Sequence, residues 1–151
     1  MKKAAIIYAS AHQGNTRKLV EAIAQKYPIT IIDAAAQEQA DLSVYDLIGF
    51  ASGIDFGRFY ASVEAFLKNN LPENKPVFFL YTCAMPRDGF TKSIREEALK
   101  KSAVLLGEYG CRGFNTYGLW KLIGGMNKGH PTAKEIIDAI QFVESLMEIK
   151  K

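Results

Sequence analysis

Cysteine is scarce: only Cys83 and Cys111 occur among 151 residues, far apart and in no C-x-x-C arrangement. That argues against a disulfide-stapled secreted scaffold and against a cysteine-based zinc site, and two free thiols suit a reducing cytoplasm. No apolar run approaches the roughly 18 residues of a membrane helix, so no integral membrane segment is expected. Met1-Lys2-Lys3 and the apolar stretch Ala4–Ala9 begin as a signal peptide does, but the stretch is too short and no cleavage pattern follows. The first strand of a sheet explains it better. A basic track is also missing. Nineteen basic and 16 acidic side chains leave a formal charge of +3, and the pairs Lys100-Lys101 and Lys150-Lys151 read as solvated helix ends. No nucleic-acid partner is expected.

What is present is an ordered globular composition, 48% apolar and 23% charged, of a length that suits one domain over residues 1–151. Strand and helix signals alternate. Ala4–Tyr8 is a continuous apolar run, as in a strand buried on both faces. Asn15–Tyr27 has helix spacing, with Leu19, Val20, Ile23 and Ala24 on one face. Ile29–Ile32 is a short β-branched run, and Asp33–Leu42 reads either as a helix or as a loop with one turn. Leu47–Ala51 predicts the third strand, Gly53–Arg58 a loop and Phe59–Asn69 a helix with Phe59, Val63, Phe66 and Leu67 inward. Val77–Tyr81 predicts a fourth strand, Met85–Gly89 a loop, Thr91–Gly107 a long helix and Cys111–Tyr117 a fifth strand. Gly118–Pro131 has no period. Thr132 and Glu135 then form a capping-box pattern before a last helix striped by Ile136, Ile140, Val143 and Met147.

Such alternation implies an α/β fold with a parallel sheet covered on both sides. Ligands of such sheets bind beyond the carboxyl ends of the strands. The loops that matter are therefore Ser10–Thr16, Ser52–Arg58 and Thr82–Phe90. In the first, Ser10, Asn15 and Thr16 offer short hydrogen-bonding side chains, and Gly14 lets a ligand approach the backbone. A helix start there favours an anion, giving a phosphate cradle without lysine; the alternative is that Asn15 or Ser10 simply caps the helix. Neither G-x-x-x-x-G-K-[ST] nor G-x-G-x-x-G is present. Ala9-Ser10 replaces the acidic cluster that a phosphate-accepting receiver domain needs at the first strand end.

Strand, hydroxyl-bearing loop and Gly14-Asn15-Thr16 at a helix start resemble the FMN phosphate loop of flavodoxins. His12-Gln13 stands where the usual Ser/Thr-x-Thr-Gly-x-Thr pattern has its middle Thr, with one residue more. The resemblance implies phosphate contacts from Ser10, Gly14, Asn15 and Thr16. His12 donates to the phosphate, sits over the ring edge or faces solvent.

Gly49–Phe59 is similar to the family's loop after strand three. By that likeness Ser52, Gly53, Ile54, Asp55, Phe56 and Gly57 lie around the flavin. Peptides from Gly53 to Gly57 are candidates beside its N5, and Ile54 and Phe56 are candidate ring covers. Phe56 is alternatively core. Asp55 near the ring would disfavour an anionic reduced flavin; facing solvent, it would do little.

Thr82, Cys83, Ala84, Met85 and Phe90 occupy the loop that holds the other side of the ring in that family, with Phe90 alternatively in the next helix. Gly124-Gly125-Met126-Asn127-Lys128-Gly129-His130-Pro131-Thr132 is similar to a subgroup of short flavodoxin-family proteins.

The resemblance implies a flavodoxin-like doubly wound five-stranded parallel sheet of order 2-1-3-4-5 with helices on both faces. It implies FMN as cofactor and a cytoplasmic electron carrier serving redox partner proteins. Carriers of the family are typically acidic, and this chain is slightly basic. The other reading is an FMN-dependent oxidoreductase acting on a small redox substrate of quinone or protoporphyrinogen type, which Gly57–Leu67 also resembles. Trp120 and Leu122-Ile123 either serve such a substrate or pack their loop against the sheet.

Overall fold

The computed structural model describes residues 2–10, 14–113 and 129–148. The elements run β1 (Ala4–Ala9), α1 (Asn15–Lys26), β2 (Ile29–Asp33), β3 (Leu47–Asp55), β4 (Arg58–Phe59), α2 (Ala61–Asn70), β5 (Pro76–Cys83), α3 (Lys92–Leu99), β6 (Val104–Arg112) and α4 (Ala133–Met147). The main sheet has the order β2-β1-β3-β5-β6, and every pair along that path is parallel. This is the flavodoxin-like order read from the sequence, with one addition: β4 turns back antiparallel on the end of β3.

All six residues of β1 are buried. Alternate side chains enter two separate cores, because successive residues of a strand point to opposite faces. Ile7 and Ala9 join Val63, Phe66 and Leu67 of α2 and Ile94 and Ala98 of α3. Ala4, Ile6 and Tyr8 join Leu19, Val20 and Ile23 of α1 and Ala139 and Val143 of α4. Burying each of Ile6 and Ile7 fully is worth about 1.5–3 kcal/mol. The capping box at α4 forms as its sequence predicts: the Thr132 hydroxyl accepts from the Glu135 amide, and Glu135 accepts from the Thr132 amide. Among the described residues, no helix is long and apolar enough to cross a membrane.

Of the two readings of Asp33–Leu42, the loop with one turn holds: Asp33 accepts the Ala35 amide and turns the chain, while Ala34 and Leu42 are buried. Three expectations change. β3 runs on to Asp55 and Arg58 opens β4, so of the predicted loop Gly53–Arg58 only Phe56 and Gly57 form the hairpin turn. Phe59 is buried as expected but lies in β4, and α2 begins at Ala61.

The third change is the largest. The helix predicted over Thr91–Gly107 stops at Leu99, and the fifth parallel strand is Val104–Arg112, not Cys111–Tyr117. Ser102 stops the helix, with a left-handed φ of 55°. Its amide donates to Leu99 and the Ala103 amide to Ala98, the paired bonds of a Schellman cap. Only Cys111 and Arg112 of the predicted strand lie in β6. Residues 114–117 fall outside the described residues, as does most of the 118–131 segment with Trp120 and Leu122-Ile123.

Candidate functional site

The register brings the carboxyl ends of four strands to one edge. Ala9 pairs with Ser52, Gly53 with Thr82, and Cys83 with Arg112. α1 starts at that edge from Gly14, whose φ of 65° suits glycine. Gly14 has no side chain to cap α1, and the first turn holds no acidic residue. The Ser10 hydroxyl accepts the Arg17 amide at 3.2 Å and so caps one amide of the first turn, as the capping alternative had it. Asn15 and Thr16 are both buried. A helix start of this kind is suited to an anion.

Thr16 Oγ1 and Thr82 Oγ1 lie 2.8 Å apart in a buried hydrogen bond, so the first and third loops are tied together. A Cβ on Gly113 would come within 2.5 Å of Asn15 Nδ2, which places the end of β6 against the same helix start. The Gly113 amide also donates to the Cys83 carbonyl at 2.9 Å. Among the described residues, every buried side-chain N and O atom has a partner. His12 lies outside the described residues.

The second loop is a hairpin. Asp55 pairs with Arg58, and only Phe56 and Gly57 lie between them, with φ of 52° and 76°. Two positive φ values mark the turn that suits the twist of a two-residue hairpin, where Asn-Gly or Gly-Gly is usual. Phe56 is 95% exposed, so of its two readings the core one is excluded. Asp55 is exposed and Ile54 half-buried. Ser52 is wholly buried; its hydroxyl donates to the Gly53 carbonyl at 2.6 Å and accepts the Tyr60 amide at 2.9 Å. Ser52 therefore anchors the hairpin base. The Tyr60 ring lies across Gly53, where a Cβ would meet its hydroxyl at 2.4 Å.

In the third loop Thr82 is buried, Cys83 and Ala84 are half-buried, and Met85 is 59% exposed. Phe90 is a core residue, edge-on to Tyr81 at 5.6 Å with the Arg87 guanidinium over its ring. α3 begins only at Lys92, so the reading that placed Phe90 in the next helix does not hold. Cys83 and Cys111 belong to opposite faces of the sheet. Burial pushes both thiols up to about 12, which leaves neither as an activated nucleophile.

Sequence reasoning missed three features. Tyr60 was hidden by the helix assignment. Glu64, buried on α2, had one signal: a carboxylate inside an apolar stripe, six residues after Arg58. The third is His130, paired through Nδ1 with Glu135 Oε1, while Glu135 Oε2 accepts the Arg112 amide at 3.1 Å. Burial opposes ionisation of Glu135, but the Thr132 and Arg112 amides and His130 outweigh it and hold the carboxyl below its ordinary value.

Residues 5–112 of this chain match the flavodoxin domain. The chain belongs to the flavodoxin family. An uncharacterized protein of Methanocaldococcus jannaschii is 37% identical over 148 residues, covering 97% of this chain and 99% of that protein. A flavodoxin from the domain Archaea superposes with a TM-score of 0.66 at 14% identity, covering 96% of each chain. A Lactobacillus acidophilus flavoprotein solved in complex with FMN superposes with a TM-score of 0.58 at 19% identity, over 73% of this chain and 93% of that one. Flavodoxin membership thus agrees with the sheet order and with the strand ends at which the loops meet.

Proposed function

We propose that this protein binds FMN noncovalently and serves as an electron carrier. The observation that carries the reading is the start of α1: opened by Gly14 in a left-handed conformation, set at the strand-end edge beside β1 and bonded through Thr16 to Thr82 of the third loop. FMN supplies one- and two-electron redox chemistry when bound. The chain's own residues bind and orient it. Ser10, Gly14, Asn15 and Thr16, with His12, hold the phosphate, helped by the dipole of α1. Gly53, Ile54, Asp55, Phe56 and Gly57 face one side of the ring, with Phe56 as its cover, and Ser52 fixes the backbone beneath them. Thr82, Cys83, Ala84 and Met85 line the other side, where the polarisable sulfur atoms suit an aromatic face. Phe90 supports that loop from the core.

The FMN complex of the Lactobacillus acidophilus flavoprotein supports the cofactor assignment through the shared fold. A second reading, an oxidoreductase acting on a quinone or protoporphyrinogen-type substrate, is favoured by the net charge of +3 and by the His130–Glu135 pair beside the strand ends. The pair is a place where a proton can be held.

The test is to add FMN to the purified protein, remove the excess and reduce the product stepwise without oxygen. Retained flavin bands with two resolved one-electron steps support the carrier. Retained bands lost in a single two-electron step favour the oxidoreductase. No retained flavin refutes both.

A further inference from the structure

Glu64 is 3% exposed, and its two carboxylate oxygens serve different elements. Oε2 accepts from Arg58 Nε at 2.9 Å and from Arg58 Nη2 at 2.5 Å. Oε1 accepts from the Ser93 hydroxyl at 2.6 Å. Arg58 is the residue on which the chain leaves the Phe56-Gly57 turn. Ser93 is the second residue of α3, the helix that the third loop enters. One buried carboxylate on α2 is thus bonded to the segment leaving the second loop and to the segment leaving the third.

Stability alone is a poor reason for this arrangement. Burying a carboxylate is costly, and a well-packed apolar side chain in its place is often no worse. What the charge adds is direction. The Arg58 fork fixes the hairpin in one orientation, and the Ser93 bond fixes α3 relative to it. The hairpin needs such support, because its two strand pairs, Ile54–Phe59 and Asp55–Arg58, are few and its tip is in solvent. Ser52 holds its base through the Tyr60 amide, and Arg58, the first residue beyond the tip, holds it through Glu64.

We infer that Glu64 is a positioning residue that sets the separation between the β3–β4 hairpin and the loop after β5. It thereby sets the width of the slot for the planar ring. The inference rests on the FMN reading for what fills the slot, and on the described geometry alone for the clamp. Glu64 takes no part in the phosphate cradle, so ring recognition and phosphate recognition are separable.

The test compares the parent with Glu64→Gln, which keeps the shape and loses the charge, and with Arg58→Gln, which loses the hairpin arm from the solvent side. Arg58 has a side chain 55% exposed, so its variant keeps the test usable should Glu64→Gln not fold. Amide exchange is measured on the flavin-free chain, and FMN and riboflavin are each titrated. The clamp predicts faster exchange at residues 54–60 and unchanged exchange in β1 and β5. The slot predicts that both flavins weaken by the same factor, about tenfold or ~1.4 kcal/mol, with a shifted visible spectrum of the bound ring. Unchanged exchange at residues 54–60 overturns the clamp whatever the flavins do. Faster exchange with unchanged affinity for both flavins overturns the slot. A parent that binds neither flavin overturns the FMN reading and the slot with it, and exchange still decides the clamp.

Discussion

Phe56→Asn should make the protein more stable and its flavin site weaker. Phe56 holds a φ of 52°, in the left-handed region, at the tip of the hairpin. That conformation costs an ordinary L-residue roughly 1–2 kcal/mol, and Asn tolerates it far better. The side chain returns little. It is 95% exposed, so of the roughly 200 Å² a Phe can bury only about 10 Å² is covered, worth ~0.25 kcal/mol at ~25 cal/mol per Å². The net expectation is a gain of about 1 kcal/mol, or about 2–4 °C in Tm for a chain of this size. Thermal and urea unfolding of the flavin-free protein measure it. If Phe56 covers the ring, the same change weakens FMN about twofold to twelvefold, the range of an aromatic contact worth about 0.5–1.5 kcal/mol. An unchanged or lower Tm would refute the strain argument. A higher Tm with unchanged FMN affinity would leave the strain real and remove Phe56 from the ring.

Thr16→Val deletes one member of the buried Thr16–Thr82 bond and strands the other, so urea unfolding should show a loss of about 1–3 kcal/mol; a neutral result would contradict the bond. A bulky Thr16→Leu should also prevent FMN from surviving gel filtration, and retention equal to the parent's would move the phosphate elsewhere. Burial raises both thiols from an ordinary 9.0 to about 12, so each favours the folded state fully below about pH 9 and loses that contribution as pH climbs toward 12. Reaction with a thiol reagent at pH 8 should accordingly be at least about a hundredfold slower in the folded chain than in denaturant, and comparable rates would refute it. Asp55→Asn should raise the second reduction potential of the bound flavin slightly, by an amount that shrinks with added salt because Asp55 is exposed; a fall in potential would give the residue another role.

Most strands and helices were legible because apolar period and burial coincide, while the sheet order came from the resemblance to flavodoxins. β1 reads as one continuous apolar run, and the stripe Leu19, Val20, Ile23 reads as one helix face. The α4 start was legible because Thr132 and Glu135 have side chains specific to that geometry. The ends of α3 and β3 were not. Ser102 occupies the left-handed position that glycine usually marks, so the helical pattern of residues 91–107 carried through a real stop. β6 is half-exposed along most of its length, and at Gly110 a Cβ would sit 2.1 Å from the Tyr81 ring. A glycine chosen for a ring on the neighbouring strand weakens the apolar alternation that would have announced β6. Phe56 hid the hairpin in a similar way, by standing where the turn asks for Asn or Gly.

The candidate site divides along the same line. The loops that matter followed from topology, and the structure brings Ser10, Gly14, Asn15, Thr16, Ser52 and Thr82 to one edge of the sheet. The supporting bonds did not follow, since they join residues far apart in the chain, as Glu64 joins Ser93. No local pattern encodes such a pairing.

β4 pairs with β3 alone and lies off the path of the main sheet. The hairpin is therefore an appendage, and the register of the five parallel strands is indifferent to its length. Residues can be added at the Phe56-Gly57 tip without sliding any of those five strands against its neighbour, although the β3–β4 pairing itself follows the turn. Across descendants of this chain, the tip can drift in sequence and reach while the scaffold beneath it stays fixed. Changes in what approaches this edge of the molecule should therefore accumulate first in those two residues.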